Sequence, residues 1–465
     1  MVKPQCTACV AGILLSAAQL LRGADACLPD GTFNAGLAED AYVARLAMQP
    51  DGRMLIGGAF TIYGAPNRVN IARLQHNGSL DATFNAGTAA DIGPVVAIVT
   101  QPDGRILIGG SFYSSTGSAP QYLARLNANG TVDPGFNSHF SIDGPINALA
   151  LQPDGKIIIA GNFVVVEGIV RRSIARLNAN GTIDPGFDAC VAGSPDGANA
   201  LVILDDGRII MGGNFTFSTG VARNGIARLN SNGDVDATFA REPGVNFGAT
   251  VYAVAVRPDG SILIGGNFSS YHNVTRSGVA QIFPDFGGIV DQNYDPGAGI
   301  NDGASVLALA LEASGNLIVG GTFSSFNNQT RYGLARLGLD GHLAPGCDAG
   351  GGDAPRVSSL AMTADGKVVV GGLFSGFGGG EQSALVRLQG DVVPFSMGPP
   401  SRVSNGRFQL SIHGQPQVRY SIESSSNLVD WLSFTNFVCT SDSMSIVDPS
   451  TNSRPARFYR GVIVP

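Results

Sequence analysis

Two residue series in this chain have the types and spacing to act together chemically. Aspartates recur at Asp40, Asp91, Asp143, Asp196, Asp302 and Asp353, and arginines at Arg68, Arg171, Arg223, Arg276 and Arg331. Tyr63, Tyr271, Phe326 and Phe377 lie near the arginines. Guanidinium groups grip carboxylate or sulfate through paired donors, and aromatic faces can stack on sugar rings, so the set could form a pocket for a polar polymer. A structural reading competes with it. Aspartate and arginine on neighbouring loops can pair and join one loop to the next, at a few tenths to about 1 kcal/mol per exposed pair. A shared metal ion fits poorly, because two oxygens on one Ca²⁺ must lie within about 5 Å of each other, whereas packed sheets stand about 10 Å apart.

The gaps in the arginine series locate a candidate site. Pro120 and Gln382 occupy the arginine position in the second and seventh copies, which leaves Asp91 and Asp353 without a repeat-matched arginine. Residues 376–380 form a short glycine-rich loop carrying Phe377 and ending at Glu381. A low loop beside unpaired acids leaves a notch, and a ligand needs concavity with a few oriented polar groups. The expected ligand site is therefore Asp353, Arg356 and Phe377, with Asp91 and with Tyr63 of the adjoining first copy.

A second arginine series reads as structural. Arg73, Arg125, Arg176, Arg228, Arg336 and Arg387 share one repeat position, and four are followed one hairpin later by Asp81, Asp133, Asp184 or Asp236. These read as pairs within a copy. Arg45 breaks a column held elsewhere by Ala97, Ala148, Ala200, Ala253, Ala308 and Ser359, and must reach a channel, a gap between sheets or water.

No catalytic residue, cofactor or metal site is assigned. His76, His139, His272, His342 and His413 share no ligand spacing. Nucleophile-elbow, phosphate-loop and dinucleotide motifs are absent from the sequence. The Asp-Gly pairs sit at tight turns, without the acidic run and later Glu of a calcium loop.

The elements that must position these residues repeat. Gly-Gly-x-Phe or a near match ends at Phe60, Phe112, Phe163, Phe215, Phe268, Phe323 and Phe374, at intervals of 51 to 55 residues. In the third copy an apolar run from Ile146 meets the turn Pro153, Asp154, Gly155. Lys156 to Phe163 follow, then Ile174, Ala175, Arg176 and Leu177, then the Asn180, Gly181 turn. Pro-Asp-Gly and Asn-Gly are hairpin chemistry, so each copy is expected to be a four-stranded antiparallel sheet. Sheets of this period, apolar on both faces, pack radially as a β-propeller. The seventh copy stops near Gly390 without its fourth strand, while residues 29–36 match residues 80–87. The N-terminal segment is expected to complete the last blade and close the ring.

The recurring pattern, QPDGKIIIAGNF followed by IARLNANGTIDPGF, resembles the delta-60 repeat of bacterial secreted and surface proteins over residues 28–390. That resemblance implies a propeller-like fold and no established reaction. Copy five departs at Ala280, Gln281, Ile282 and Phe283, and copy six ends in Cys347 where others carry phenylalanine.

Residues 1–26 read as a signal peptide, with Lys3 before an apolar core and Ala24, Asp25, Ala26 as the cleavage site. Cys27 would then lead the mature chain, where secretion without lipid is favoured over a lipid-modified cysteine. Cys6 and Cys9 fall inside the signal. Cys27, Cys190, Cys347 and Cys439 imply no particular pairing. Residues 27–390 form the repeat domain, 391–400 a proline-containing linker and 401–465 a small β-sandwich-like module with Trp431 as core anchor. That module resembles the terminal β-modules of large secreted bacterial proteins, which dock, anchor or cap.

Composition excludes several classes. Charged residues are only 14% and the net charge is -7, which argues against a nucleic-acid partner with its basic surface. No stretch after the N-terminus reaches the length of a membrane helix. The expected protein is secreted or surface-associated, all-β and non-catalytic, binding a protein or polysaccharide through one loop face. The alternative is a propeller enzyme, a lactonase-like hydrolase or polysaccharide lyase, with its site at the channel mouth.

Overall fold

Each copy folds because its turns are local and its strands are apolar on both faces. In a computed structural model, the described residues are 29–389 except 63–64, 88, 91, 114–120, 137–140, 190–196, 218–222, 240–243, 302, 345–354 and 378–382. Beyond these, 396–397, 401–402, 408–413, 419–425, 432–438, 443–448 and 458–463 are described. The chain divides after Gln389 into two compact units. The described residues form strands, turns and bridges, with a 3-10 turn at Pro284–Phe286. Among them no helix is long and apolar enough to cross a membrane.

Among the described residues, the repeat unit holds seven antiparallel sheets of three or four strands and three two-stranded hairpins. In the third copy, Ile146–Leu151 pairs with Ile157–Gly161, which pairs with Ile174–Leu177. The expected fourth strand is reduced in most copies to one bridge, such as Leu177 to Ile183 or Leu74 to Leu80; copy five keeps the two-residue strand Ile289–Val290. The shortening has a physical cause. The next residue, Asp81 in the first copy, takes an N–H from Thr83 on its side chain and one from Phe84 on its carbonyl. The chain curls there and drops the repeat phenylalanine into the core.

The glycine pair of the recurring motif holds the sheets together. A Cβ on Gly57 would come within 2.9 Å of Val95 Cγ1 in the next copy, and one on Gly58 within 1.9 Å of the Tyr42 carbonyl oxygen. Gly371 of the seventh copy lies in the same way against Val43 of the first, at 2.8 Å. First strands touch in succession from Tyr42–Met48 through Arg356–Met362, and the latter touches the former again. One core cluster joins Phe33, Val43 and Leu46 to Val369, Ala384 and Leu385.

Residues 29–33 repeat what other copies do with their own chain. Pro29 bridges Leu388 as Leu80 bridges Leu74. The Asp30 N–H donates to the Arg387 carbonyl at 2.7 Å, as Asp81 donates to Arg73 at 2.8 Å.

In the second unit, Phe408–His413 pairs with Ser443–Val447, and Arg419–Ser425 with Leu432–Val438 and Phe458–Ile463. Leu410, Ile412, Ile422 and Tyr459 form its core, and the Tyr459 hydroxyl donates to Asp448 at 2.7 Å. Trp431, the expected anchor, and Cys27, Cys190, Cys347 and Cys439 lie outside the described residues.

Candidate functional site

The acids that recur along the chain divide by the job their neighbours give them. At the turn end of five of the sheets, a buried aspartate is held by two cations. Asp81 takes Arg73 at 2.7 Å and Arg53 at 2.9 Å. Asp184 takes Arg176 and Lys156, both at 2.8 Å, and Asp236 takes Arg228 at 2.8 Å. The same arginines lie over the repeat phenylalanines, Arg73 on Phe84 at 5.0 Å and Arg176 on Phe187 at 4.9 Å. They also reach the next copy, Arg73 donating to the Ala128 carbonyl and Arg125 to the Ala179 carbonyl at 2.6 Å. The pairing within copies thus extends into a clamp between copies. Asp30 fills this position for the seventh copy, with Lys367 and Arg387 each at 2.8 Å. Arg387 lies over Phe33 at 4.9 Å and donates to the His76 carbonyl of the first copy.

The basic residue after the Pro-Asp-Gly turn belongs to this network, and the sequence reading missed it. The signal was there: Arg53, Arg105, Lys156, Arg208 and Lys367 recur at that position. Where it lapses, at Ser261 and Asn316, the network is rebuilt. Gln281 donates to Asp291 at 3.1 Å, Arg257 lies over Tyr294 at 5.7 Å and donates to the Gly315 carbonyl, and Arg336 pairs with Glu312 at 2.6 Å.

Such acids are anchors that stay ionised well below the ordinary carboxylate range. The Lys156 ammonium, against the cost of burial, with Gly186 N–H and Arg176, holds Asp184 down to about 2. For Asp30, burial opposes ionisation, but Lys367, Thr32 and Arg387 outweigh it and keep the carboxyl well below its ordinary range. A depressed carboxyl contributes stability that is complete above its ordinary value of 3.8 and disappears as pH falls through the folded value. The urea midpoint is therefore expected to fall between pH 3.8 and about 2, and Asp184→Asn to flatten part of that dependence. An unchanged profile in the variant would remove Asp184 from the network.

At the opposite end lie the loops that carry the first aspartate and arginine series. Asp143 accepts the N–H groups of Val164 and Val165 at 2.8 and 2.9 Å. Asn246 and Asn301 do the same for Ser269 with Ser270 and Ser324 with Ser325. Copy five therefore has an equivalent, and in copy six it is Asn301, where Asp302 was expected. The role needs only a side-chain oxygen, which asparagine supplies as well as aspartate. Asp40 is exposed; Asp91, Asp196, Asp302 and Asp353 lie outside the described residues.

The loop arginines meet other acids than those expected. Arg171 lies 3.6 Å from Asp188 and Arg276 3.9 Å from Asp295, each acid following a repeat aromatic. Both arginines also donate to the carbonyl of the preceding residue. The expected display of aromatic rings is corrected too. Tyr271 and Phe326 are fully buried and Phe377 is 2% exposed. Phe377 packs on Phe374 at 4.9 Å, and the Tyr271 hydroxyl donates to the Gly288 carbonyl. These rings fill the space beneath the loops, where burial of a large apolar face outweighs display. Phe377 therefore offers no surface to a ligand. Tyr63 lies outside the described residues.

Arg356 is exposed, with its guanidinium 5.7 Å from the ring of Tyr42 in the first copy. Beside the loop that carries Phe377, a cleft of about 860 Å³ opens between the N-terminal segment and the seventh copy. Asn34, Gly36, Glu39, Ser375, Gly376 and Ser383 supply its polar and backbone lining. Its amide, Asn34, lies within the repeat-matched residues 29–36, whereas its acid, Glu39, follows them, outside the repeat match. Among the described residues, no three His, Cys, Asp or Glu side chains come together as a metal site.

The profile of the Domain of unknown function (DUF5122) β-propeller family matches residues 49–84, 101–136, 152–187, 204–239, 257–285, 312–343 and 363–391. The comparison with curated proteins finds no match. Among solved structures, the extracellular domain of a one-component system, BT4673, from B. thetaiotaomicron is 13% identical, with a TM-score of 0.48 over 88% of this chain. The chain spans about half of that domain, 47%. An inactive variant of virginiamycin B lyase from Staphylococcus aureus, with quinupristin, is 12% identical, with a TM-score of 0.46 over 76% of this chain and 96% of the lyase.

Proposed function

The chain belongs to the DUF5122 β-propeller family, and from that premise we propose that it is a secreted, non-catalytic propeller that binds a polysaccharide at its loop face. The cleft between the first and seventh copies carries the reading. Its described lining joins one carboxylate, an amide, two hydroxyls and open glycine backbone, a set that matches sugar hydroxyls. The repeated acids Asp81, Asp184 and Asp30 are engaged as ionised anchors at the other end, which removes them as proton donors.

The site is accordingly centred on Glu39, Asn34 and Ser375; Arg356, Asp353, Asp91 and Tyr63 are kept as expected site residues. In the same reading, residues 1–26 are a signal peptide and the repeats are of the delta-60 type. Residues 29–36 close the ring, a view supported by the Asp30 and Phe33 contacts to Arg387. Residues 401–465 form a separate β-sandwich-like module that docks or anchors.

The test is a glycan-array screen of the chain from Cys27 onward, repeated with Ser375→Trp. Ser375 is exposed at the cleft, so a bulky ring there fills the space without disturbing the core. Loss of glycan binding with an unchanged melting curve is expected. Binding equal to wild type would place the ligand elsewhere.

A further inference from the structure

The seven first strands touch in cyclic order and so surround a common axis. Each carries a bulge at the same place. In the first copy Val43 pairs with Gly58 and Arg45 with Gly57, leaving Ala44 as the extra residue. The corresponding extra residues are Asn147, Asn199 and Tyr252 in copies three to five. Bulge residues of neighbouring copies meet: Asn147 donates to Asn199 at 3.1 Å. At the same level, Ser359 of the seventh copy accepts the Leu46 N–H at 3.0 Å.

Arg45 sits in this ring, in the column occupied by alanine in five copies and Ser359 in the seventh. Those small residues are nearly buried, whereas Arg45 is exposed. It has neither hydrogen bond nor ion pair with any described residue. Burial by the surrounding protein nevertheless lowers its pKa. The first strands surround the axis, so a side chain on one of them that is open to solvent, in a column whose other members are buried, reaches water through the axial space. Arg356, two register pairs nearer the loop end of the adjoining first strand, adds a second guanidinium with no carboxylate partner among the described residues.

We propose that the axial space is a second binding site, for a sugar bearing a carboxylate or sulfate, with Arg45 holding the anion and Asn147, Asn199 and Tyr252 bounding the sugar. The positive charge is localised because the column is otherwise small and uncharged, and a guanidinium removed from bulk water interacts more strongly with an oxyanion than one on the surface. Asn199 has an amide nitrogen with no acceptor among the described residues, and Tyr252, half-buried, offers a ring face. Arg45 is not among the described residues lining the cleft of the proposed function, so the two sites are separate.

Calorimetric titration of the full chain with sodium glucuronate, sodium sulfate and glucose, at constant ionic strength, tests this. Arg45→Ala installs the residue that five other copies carry, so folding is preserved. Glucuronate is expected to bind the wild type and glucose not, with affinity falling about 10- to 100-fold in Arg45→Ala and partly restored in Arg45→Lys. Sulfate binding with the same Arg45 dependence would extend the site to sulfated sugars. The Ser375→Trp variant is expected to bind glucuronate as wild type does, which separates this site from the cleft. No binding of either anion, or equal binding by Arg45→Ala, would overturn the proposal.

Discussion

Phe33→Ala is expected to destabilise the repeat unit by about 3–5 kcal/mol, the cost of truncating a buried aromatic. Phe33 is 1% exposed, shares a core cluster with Val369 and Leu385 and lies beneath the Arg387 guanidinium at 4.9 Å. Its partners belong to the far end of the repeat unit, so the loss falls on the junction of the first and seventh copies. Phe286→Ala is the control, since that ring is 72% exposed and its removal should cost little. Urea unfolding followed by fluorescence measures both. A Phe33→Ala midpoint equal to wild type would end the view that the N-terminal segment completes the last blade.

Asp81→Ala is expected to cost a comparable 3–5 kcal/mol, for an electrostatic reason. Asp81 and Arg73 are 2% and 4% exposed, and the carboxylate also holds Arg53 and the Thr83 hydroxyl. Deleting the acid leaves a buried guanidinium without its counter-charge. Asp51, paired with Arg53 at a site where its side chain is 48% exposed, should cost less than about 1 kcal/mol when replaced by alanine. Arg73→Leu added to Asp81→Ala should recover part of the loss, because an apolar pair needs no counter-charge. Equal costs for Asp51→Ala and Asp81→Ala would mean that burial does not govern these pairs.

The parts of this architecture that were legible in sequence are those set within a few residues. Pro153, Asp154 and Gly155, and Asn180 with Gly181, impose hairpins because proline and glycine limit the backbone locally. The apolar runs between them have strand length and bury both faces. Repetition of that unit specifies seven β-sheet copies, and the eight-residue step from Arg73 to Asp81 brings a cation to an acid across one tight turn.

What sequence left undecided depended on contacts beyond a single hairpin, some within a copy and some between copies. The Ala128 carbonyl that Arg73 reaches belongs to the next copy, and the acids that Arg171 and Arg276 meet follow a different strand from the one their loop position suggested. Phe377 is buried because Phe374 and the core beneath it offer a matching apolar surface, which a loop sequence rich in glycine does not reveal. Asn246 and Asn301 replace an aspartate without loss, because only a side-chain oxygen is needed there. For Arg45 the sequence left channel, gap and water equally open. Local chemistry specifies turns, strands and the register of a repeat; the packing of distant strands determines which side chains meet, and which face solvent.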